Sequence, residues 1–423
     1  MWAIRIKKLY NGTKCKPLEN AVVVVDGTHI KSVLVDCHTS WLEEYQINIT
    51  DMSDYIMTPG LIDSHVHLML PGDGTLGEDL LARWSPGEVQ ILAFQNAETA
   101  LASGVTTMRD VGAALDVDLA VRSFYKHNSK IAPDLICCGK PITCTGGHCY
   151  YMGGEADGSL EIQKMIRAQQ KKGTDWVKVM ATAGGTRGIS PGDPFSLDEL
   201  KTAVAEAHRQ EMGITMHASR INGLRKVAAS APDGIEHCQF TDHWKVVEDK
   251  ELAELICKNG TKPCHTMAVN VSLLSFLKDT PKELWTREEL DTYQTQRKWL
   301  ELMPAQLAFQ LSQGVPTVGG SDAGWRYTSF HDGMVISMEM MELAGMNAID
   351  IIYACTGLNA EYLGISDRIG TIQEGKQADF LLLEDDPMDR ISNFRTIVKV
   401  YKKGYPIQTN WAKNEREPKW MTI

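Results

Sequence analysis

The sequence predicts an α/β chain: a (β/α)8 TIM-like barrel with a small flanking β-sandwich domain formed by both termini. Three observations carry this prediction. Residues 1–57 read as short β-rich runs with tight turns. From about residue 58, short apolar strands alternate with longer amphipathic helical segments, and from about residue 366 the β character returns. The chain therefore divides into 1–57 and 366–423, the two parts of the flanking β domain, and 58–365, the barrel.

In "AVVVVDGTHIKSVLVD" two β-rich runs meet at Asp26-Gly27, a hairpin signal. Pro59-Gly60 then marks the crossing into the barrel. Its strands are expected at 61–68, 105–111, 135–139, 176–182, 214–218, 234–238, 261–267 and 316–322. Helical stretches separate most of them. In 196–213, Ser196 and Glu199 form a capping box and Gly213 is the expected stop. Eight such units suit a fold of about 250 residues or more, with an insertion at roughly 268–315 between strands seven and eight. "GTIQEGKQADFLLLEDDP" and "TIVKVYKKGYPI" close the chain as further strands.

Composition narrows the function. Hydrophobic residues at 43% and charged residues at 23% of 423 describe an ordinary globular chain. A formal charge of −11 argues against a general nucleic-acid or anionic-membrane binder, because both need a basic face. No apolar stretch approaches the roughly 18–20 residues of a membrane span. "MWAIRIKKLYNG" has no signal-peptide core, so a cytoplasmic protein is expected. The ten cysteines are scattered with no C-x-x-C, as reduced and mostly buried thiols would be. Cys144 and Cys149 flank "TGGH" and leave a local metal or redox role open.

The chemistry lies at the strand ends. On an extended strand, i and i+2 share a face, so His65 and His67 of "PGLIDSHVHL" project side by side. The corresponding ends of strands four, five, six and eight carry Lys178, His217, His237 and Asp322. Each alone has a plain reading: a hydrogen-bonded core histidine, a snorkelling lysine, an aspartate cap. Six groups of metal-ligand type on the matching strands make a shared divalent-metal site the better account.

These motifs, with "GVTTMRDVG" (104–112), "WVKVMATAGG" (176–185), "IEHC" (235–238) and "GGSDAG" (319–324), resemble the amidohydrolase superfamily, in its imidazolonepropionase-like and prolidase-like subgroup. The likeness spans almost the whole chain. It implies two divalent metal ions, with zinc the expected element. His65, His67 and Asp322 would hold one ion and His217 and His237 the other, with Lys178 bridging them as an N6-carboxylated side chain. The implied reaction is amide hydrolysis by a metal-bridging hydroxide, with Asp322 as general base and then acid. Related deaminases carry His-x-x-Glu after the fifth strand, where this chain reads "HASR", so deamination is disfavoured.

Relatives place a histidine in the third-strand loop near the substrate carbonyl, and His148 is the match. Tyr150, Tyr151 and Met152 are candidates to wall an apolar pocket or, equally, to pack the loop onto the barrel, and Trp325 is a candidate to line the pocket. Arg220 is a candidate carboxylate clamp, and Arg187 and Arg326 offer the same chemistry more weakly. His243 and His265 are not assigned to metal. Dipeptidase-like relatives often carry His or Tyr where this chain has Ser219, which argues against a simple transfer of their specificity. The expected substrate is a small molecule, an N-acyl amino acid or dipeptide-like amide with an apolar or aromatic part. A cyclic-amide or carbamate hydrolase, or a biosynthetic lyase or cyclase on the same metal site, is the alternative. A non-catalytic scaffold is the third reading, disfavoured because all six ligands are present. The resemblance leaves a homo-oligomer open.

Overall fold

The structure, a computed structural model, describes residues 1–35, 42, 44–128, 131–186, 193–277, 280–418 and 420. Strands β1 (Trp2–Leu9), β2 (Leu18–Asp26), β3 (His29–Val35) and β4 (Ile49–Pro59) come from the N-terminal segment. The expected hairpin is there: β2 and β3 pair antiparallel from Asp26–His29 to Ala21–Val35, with one register shift. Near the other end of the chain run β14 (Phe380–Leu383), β15 (Ile397–Lys402) and β16 (Tyr405–Ile407). All seven join in one sheet of order β16-β15-β14-β4-β1-β2-β3. The two facing sheets of a sandwich are therefore replaced by one continuous ladder. It curls, since His29 near one edge bridges to Gln377 just before β14. The inward residues Ile4, Val23, Met57 and Phe380 pack into one core.

The intervening strands are β5 (Leu61–Val66), β6 (Val105–Asp110), β7 (Asp134–Cys137), β8 (Trp176–Met180), β9 (Gly213–His217) and β10 (Gly234–Glu236). A small hairpin follows, β11 (Thr241–Asp242) and β12 (Lys245–Val246), then β13 (Lys262–Cys264). The β5-β6-β7 and β8-β9-β10-β13 sheets are parallel throughout. Backbone contacts link them at both ends. Asp175 N–H donates to Cys137 C=O at 2.8 Å. On the other side, single parallel bridges join Cys264 to Val318 and Val66 to Ala323. Helices cover the sheets, and each parallel run is accordingly buried along its length.

Two sequence expectations shift. The eighth strand, 316–322, joins no ladder and is held by isolated bridges and by single backbone hydrogen bonds such as Ser64 N–H to Gly319 C=O at 3.1 Å and Asp322 N–H to His65 C=O at 2.8 Å. The cause is Gly319-Gly320: a Cβ on Gly320 would lie 2.4 Å from Cys264 Sγ and 3.1 Å from His65 Cβ, so a bare backbone is required there and the ladder is weakened. The helix Leu197–Arg209 keeps its Ser196/Glu199 capping box but ends at Gln210, and Gly213 instead opens β9. A Cβ at Gly213 would meet the Trp176 indole at 2.5 Å.

The insertion folds as the helices Ser272–Leu277 and Arg287–Ser312, the second capped by Thr286 and Glu289. Among the described residues no helix is long and apolar enough to cross a membrane. The nine described cysteines are all free thiols.

Candidate active site

The parallel strands deliver their C-terminal ends to one cavity of about 560 Å³. His65, His67, Lys178, His217, His237 and Asp322 all line it, together with His148, Arg220 and Trp325. Tyr150 and Tyr151 are not among its lining residues. They form the turn Tyr150–Met152, where the Tyr151 ring packs onto Gly77 and braces the loop. Arg187 lies outside the described residues.

Hydrogen bonding fixes how the imidazoles face. His65 Nδ1 is 2.6 Å from Glu236 Oε2, and His67 Nδ1 is 2.9 Å from the Gly112 carbonyl. Both partners only accept, so each Nδ1 carries the proton and each Nε2 turns elsewhere. Both Nε2 atoms turn to Asp322 Oδ1, at 3.4 Å from His65 and 3.5 Å from His67. That oxygen is buried without a hydrogen-bond partner. His237, whose Nδ1 is 2.6 Å from Thr266 Oγ1, offers a third ring to the same spot. Ligand atoms of His65, His237 and Asp322 all lie within 4.8 Å of one another.

These residues fit a divalent cation. Two donors bound tetrahedrally at 2.0–2.1 Å stand roughly 3.4 Å apart, which is the spacing seen, and an orphaned buried carboxylate oxygen is otherwise costly. His217 adjoins His237 at 4.5 Å between ring centroids. Its Nε2 points to Ser219 Oγ at 3.2 Å and the Ala183 carbonyl at 3.4 Å, which leaves Nδ1 as the free donor. Ser219, which donates to Ala183 O at 2.8 Å, thus acts as a brace for His217.

Burial dominates the electrostatics. It pushes the imidazole of His67 down to about 4 and those of His148 and His237 to about 3, so these rings are neutral. For His65 burial and Lys178 oppose protonation, but the carboxylates of Asp322 and Glu236 outweigh them and raise it. For Asp322 burial would raise the carboxyl, and the facing imidazoles, His65 first, hold it well below the usual range. Lys178 is 1% exposed and its amine is lowered by burial. No carboxylate stands within 4.0 Å of it among the described residues.

His148 adjoins His217, with ring centroids 4.7 Å apart, and its Nδ1 lies 2.6 Å from Thr186 Oγ1. That hydroxyl also accepts from Cys149 N at 3.0 Å and lies 3.8 Å from Cys149 Sγ, toward which its proton can point. Trp325 stands beside it, with ring centroids 5.7 Å from His148 and 6.2 Å from His67. Arg326 also lines the cavity, near Glu288 at 3.7 Å.

His265 and His243 stay out of the cluster. His265 is buried between Thr317 and Gln310, and His243 is exposed on the hairpin.

Sequence reasoning missed the layer beneath. Glu236 also accepts from Arg109 Nη2 at 2.6 Å and Thr215 Oγ1 at 2.5 Å. Arg109 is fully buried and spans from the Ser64 carbonyl to the Tyr362 hydroxyl. An arginine inside the apolar run "VTTMRDV" was the available signal, because a buried guanidinium demands a carboxylate. Asp63 was missed likewise. It ties β5 to residue 321 by accepting from Ser321 N at 3.0 Å and Ser321 Oγ at 2.5 Å.

The amidohydrolase family profile matches residues 56–407. Ochratoxinase of Aspergillus niger is 24% identical over 451 aligned positions, covering 95% of this chain and 87% of that protein. Imidazolonepropionase of Pyrobaculum arsenaticum is 24% identical, covering 86% and 85%. Among solved structures, a Xaa-Pro dipeptidase with bound methionine superposes with a TM-score of 0.81 at 24% identity, over 96% of this chain and 99% of its own.

Proposed function

Because the chain belongs to the amidohydrolase family and is a hydrolase acting on carbon–nitrogen bonds, we propose that it cleaves the amide of an N-acyl amino acid or dipeptide-like small molecule at a two-metal site. The observation that carries the metal site is the convergence of the His65 and His67 Nε2 atoms on the unbonded Asp322 Oδ1. In this reading residues 58–365 form a (β/α)8 barrel, and 1–57 with 366–423 form its flanking domain.

His65, His67 and Asp322 would hold one ion and His217 and His237 the other. Lys178, carboxylated on its depressed and unpaired amine, would bridge them. When bound, zinc ions acidify water and polarise the scissile carbonyl. Asp322 takes the proton of the attacking water and hands it to the leaving nitrogen. Neutral His148 donates its Nε2–H to the carbonyl oxygen as negative charge builds there. Arg220 holds a substrate carboxylate, and Trp325 packs against the acyl part. The likeness to a dipeptidase supports a peptide-like bond. The brace that Ser219 gives His217 removes one motive for a cyclic-amide or lyase reading.

Metal analysis with a substrate panel tests this. Purified protein should contain close to two equivalents of divalent metal and lose activity on chelation. Zinc-loaded protein should hydrolyse an N-acyl amino acid with incorporation of solvent oxygen into the acid product. Protein with well under one equivalent of metal and full activity would refute the reading.

A further inference from the structure

The catalytic cavity does not end at Arg220. A second hollow of about 560 Å³ adjoins it, and the two share Ser219, Arg220 and Trp299. The outer hollow lies between the β11–β12 hairpin and the helix Arg287–Ser312, the part of the insertion the family reading leaves without a role. Trp244, at the hairpin tip, and Trp299, on the helix, face each other at 5.0 Å between centroids and 54° between planes. Lys298 Nζ caps the Trp244 ring at 5.1 Å, yet Trp244 stays 49% exposed.

The hairpin spends conformational freedom to present that indole. His243 and Trp244 both have positive φ, 43° and 62°, in a two-residue turn where Asn-Gly is the usual choice. Arg220, at the junction, has no ion pair or side-chain hydrogen bond among the described residues. The two carboxylates that line the outer hollow each stand beside a basic group, and Lys298 lies over the Trp244 ring. Asp242 lies beside the His243 imidazole at 3.7 Å, and Asp193 is 3.4 Å from Lys226. An anionic group is therefore welcome at the unpaired Arg220, and beyond it the facing indoles of Trp244 and Trp299 suit a flat apolar ring.

Resting on the amide-hydrolysis reading, we propose that the amine half of the substrate is an aromatic α-amino acid: its carboxylate lies on the Arg220 guanidinium, and its ring lies in the outer hollow against Trp244 and Trp299. The connectivity of such a molecule matches the layout. Carboxylate and side chain hang from the one carbon next to the scissile nitrogen. Arg220 follows the cluster residue His217 by three positions, and the two hollows meet at it.

The test compares N-acetyl-L-phenylalanine, N-acetyl-L-alanine and N-acetyl-L-phenylalaninamide on zinc-loaded protein, scored by acetate release. Burying the ring should give the phenylalanine compound about tenfold or more in kcat/KM over alanine. Trp244→Ala should collapse that ratio, and Arg220→Gln should abolish the preference for the free carboxylate over the carboxamide. Equal rates on phenylalanine and alanine, or a preference that survives Trp244→Ala, would overturn the subsite. If none of the three is hydrolysed, the amide reading fails for these compounds, and calorimetry then decides the subsite alone. N-acetyl-L-phenylalanine binding about tenfold tighter than the alanine compound, with the difference lost in Trp244→Ala, upholds it. Equal affinities or no binding refute it.

Discussion

Glu236 Oε2 lies 2.6 Å from His65 Nδ1, while the other oxygen of the same carboxylate takes hydrogen bonds from Arg109 and Thr215. One buried anion is thus shared by an imidazole, a guanidinium and a hydroxyl. Burial would raise its carboxyl, but Arg109 and then His65 hold it well below the usual range, so it remains an acceptor for the His65 proton. The orientation of His65 depends on a residue that never reaches the cavity.

Glu236→Gln keeps the shape and removes the charge. One of three donors then faces an amide N–H instead of an oxygen. We expect zinc affinity to fall about 10- to 100-fold, as when other partners of ligating histidines are lost. Unfolding free energy should fall by about 3–5 kcal/mol, the usual cost of breaking one side of a buried pair. Competition against a chromophoric chelator and urea unfolding measure the two effects, and unchanged zinc affinity would remove Glu236 from the account.

Lys178→Ala should abolish turnover and lower bound metal from two equivalents. A small carboxylic acid such as acetate, entering the space left by the side chain, should restore part of the activity. Full activity in this variant would rule out any bridging role for Lys178.

His265 makes a prediction about acid stability. Burial holds its folded value at about 4, against the ordinary 6.5 in the unfolded chain. Between these values the unfolded state binds a proton that the folded state refuses. The contribution is therefore complete above pH 6.5 and is lost as pH falls toward 4, an amount of about 3 kcal/mol. His265→Gln can still donate to Gln310 and accept from Thr317, but it does not titrate. The loss of unfolding free energy between pH 7 and pH 4 should be smaller by about that amount in the variant. Equal losses would contradict the neutral, buried His265.

Gly184→Ala tests His148. A Cβ there would sit 2.3 Å from His148 Nε2, so the ring must move off the cavity. We expect kcat to drop about 100-fold, in the range for loss of a preorganised donor, with the melting temperature nearly unchanged. Normal kcat would show that His148 does not touch the reacting carbonyl.

The eight strand positions and six ligand candidates were legible because each strand is buried on both faces, so a polar residue at its end stands out against an apolar run. The eighth strand was legible as a position but not as a ladder, since Gly320 is there for closeness to Cys264 and His65, Gly319 for closeness to Cys355 and Met334, and neither carries a β preference. Glu236 escaped for another reason. Strict alternation along a strand puts residues 236 and 237 on opposite faces, but His237 has φ 65° and leaves the strand, which brings both neighbours inward at different depths. Sequence alone left Tyr151 open between pocket wall and loop brace because its partner, Gly77, comes from another segment of the chain. Trp299 lies in an insertion whose helical pattern says nothing about what it overhangs.

The terminal sheet has a kinetic meaning. β4 sits between β1 and β14, and its last residues, Thr58 and Pro59, pair with Leu381 and Phe380 only a few positions before His65. β4, the strand that leads directly into β5 and His65, therefore gains its final neighbour from a stretch synthesised more than 300 residues later. Such long-range closure slows folding and keeps an unpaired strand edge open until the chain is nearly complete. A nascent or truncated chain lacking β14 would expose the edge of β4 beside a half-built histidine cluster. Production of this protein should thus be limited by the wait for its last strands, and chaperone supply or low temperature should raise soluble yield more than added zinc does.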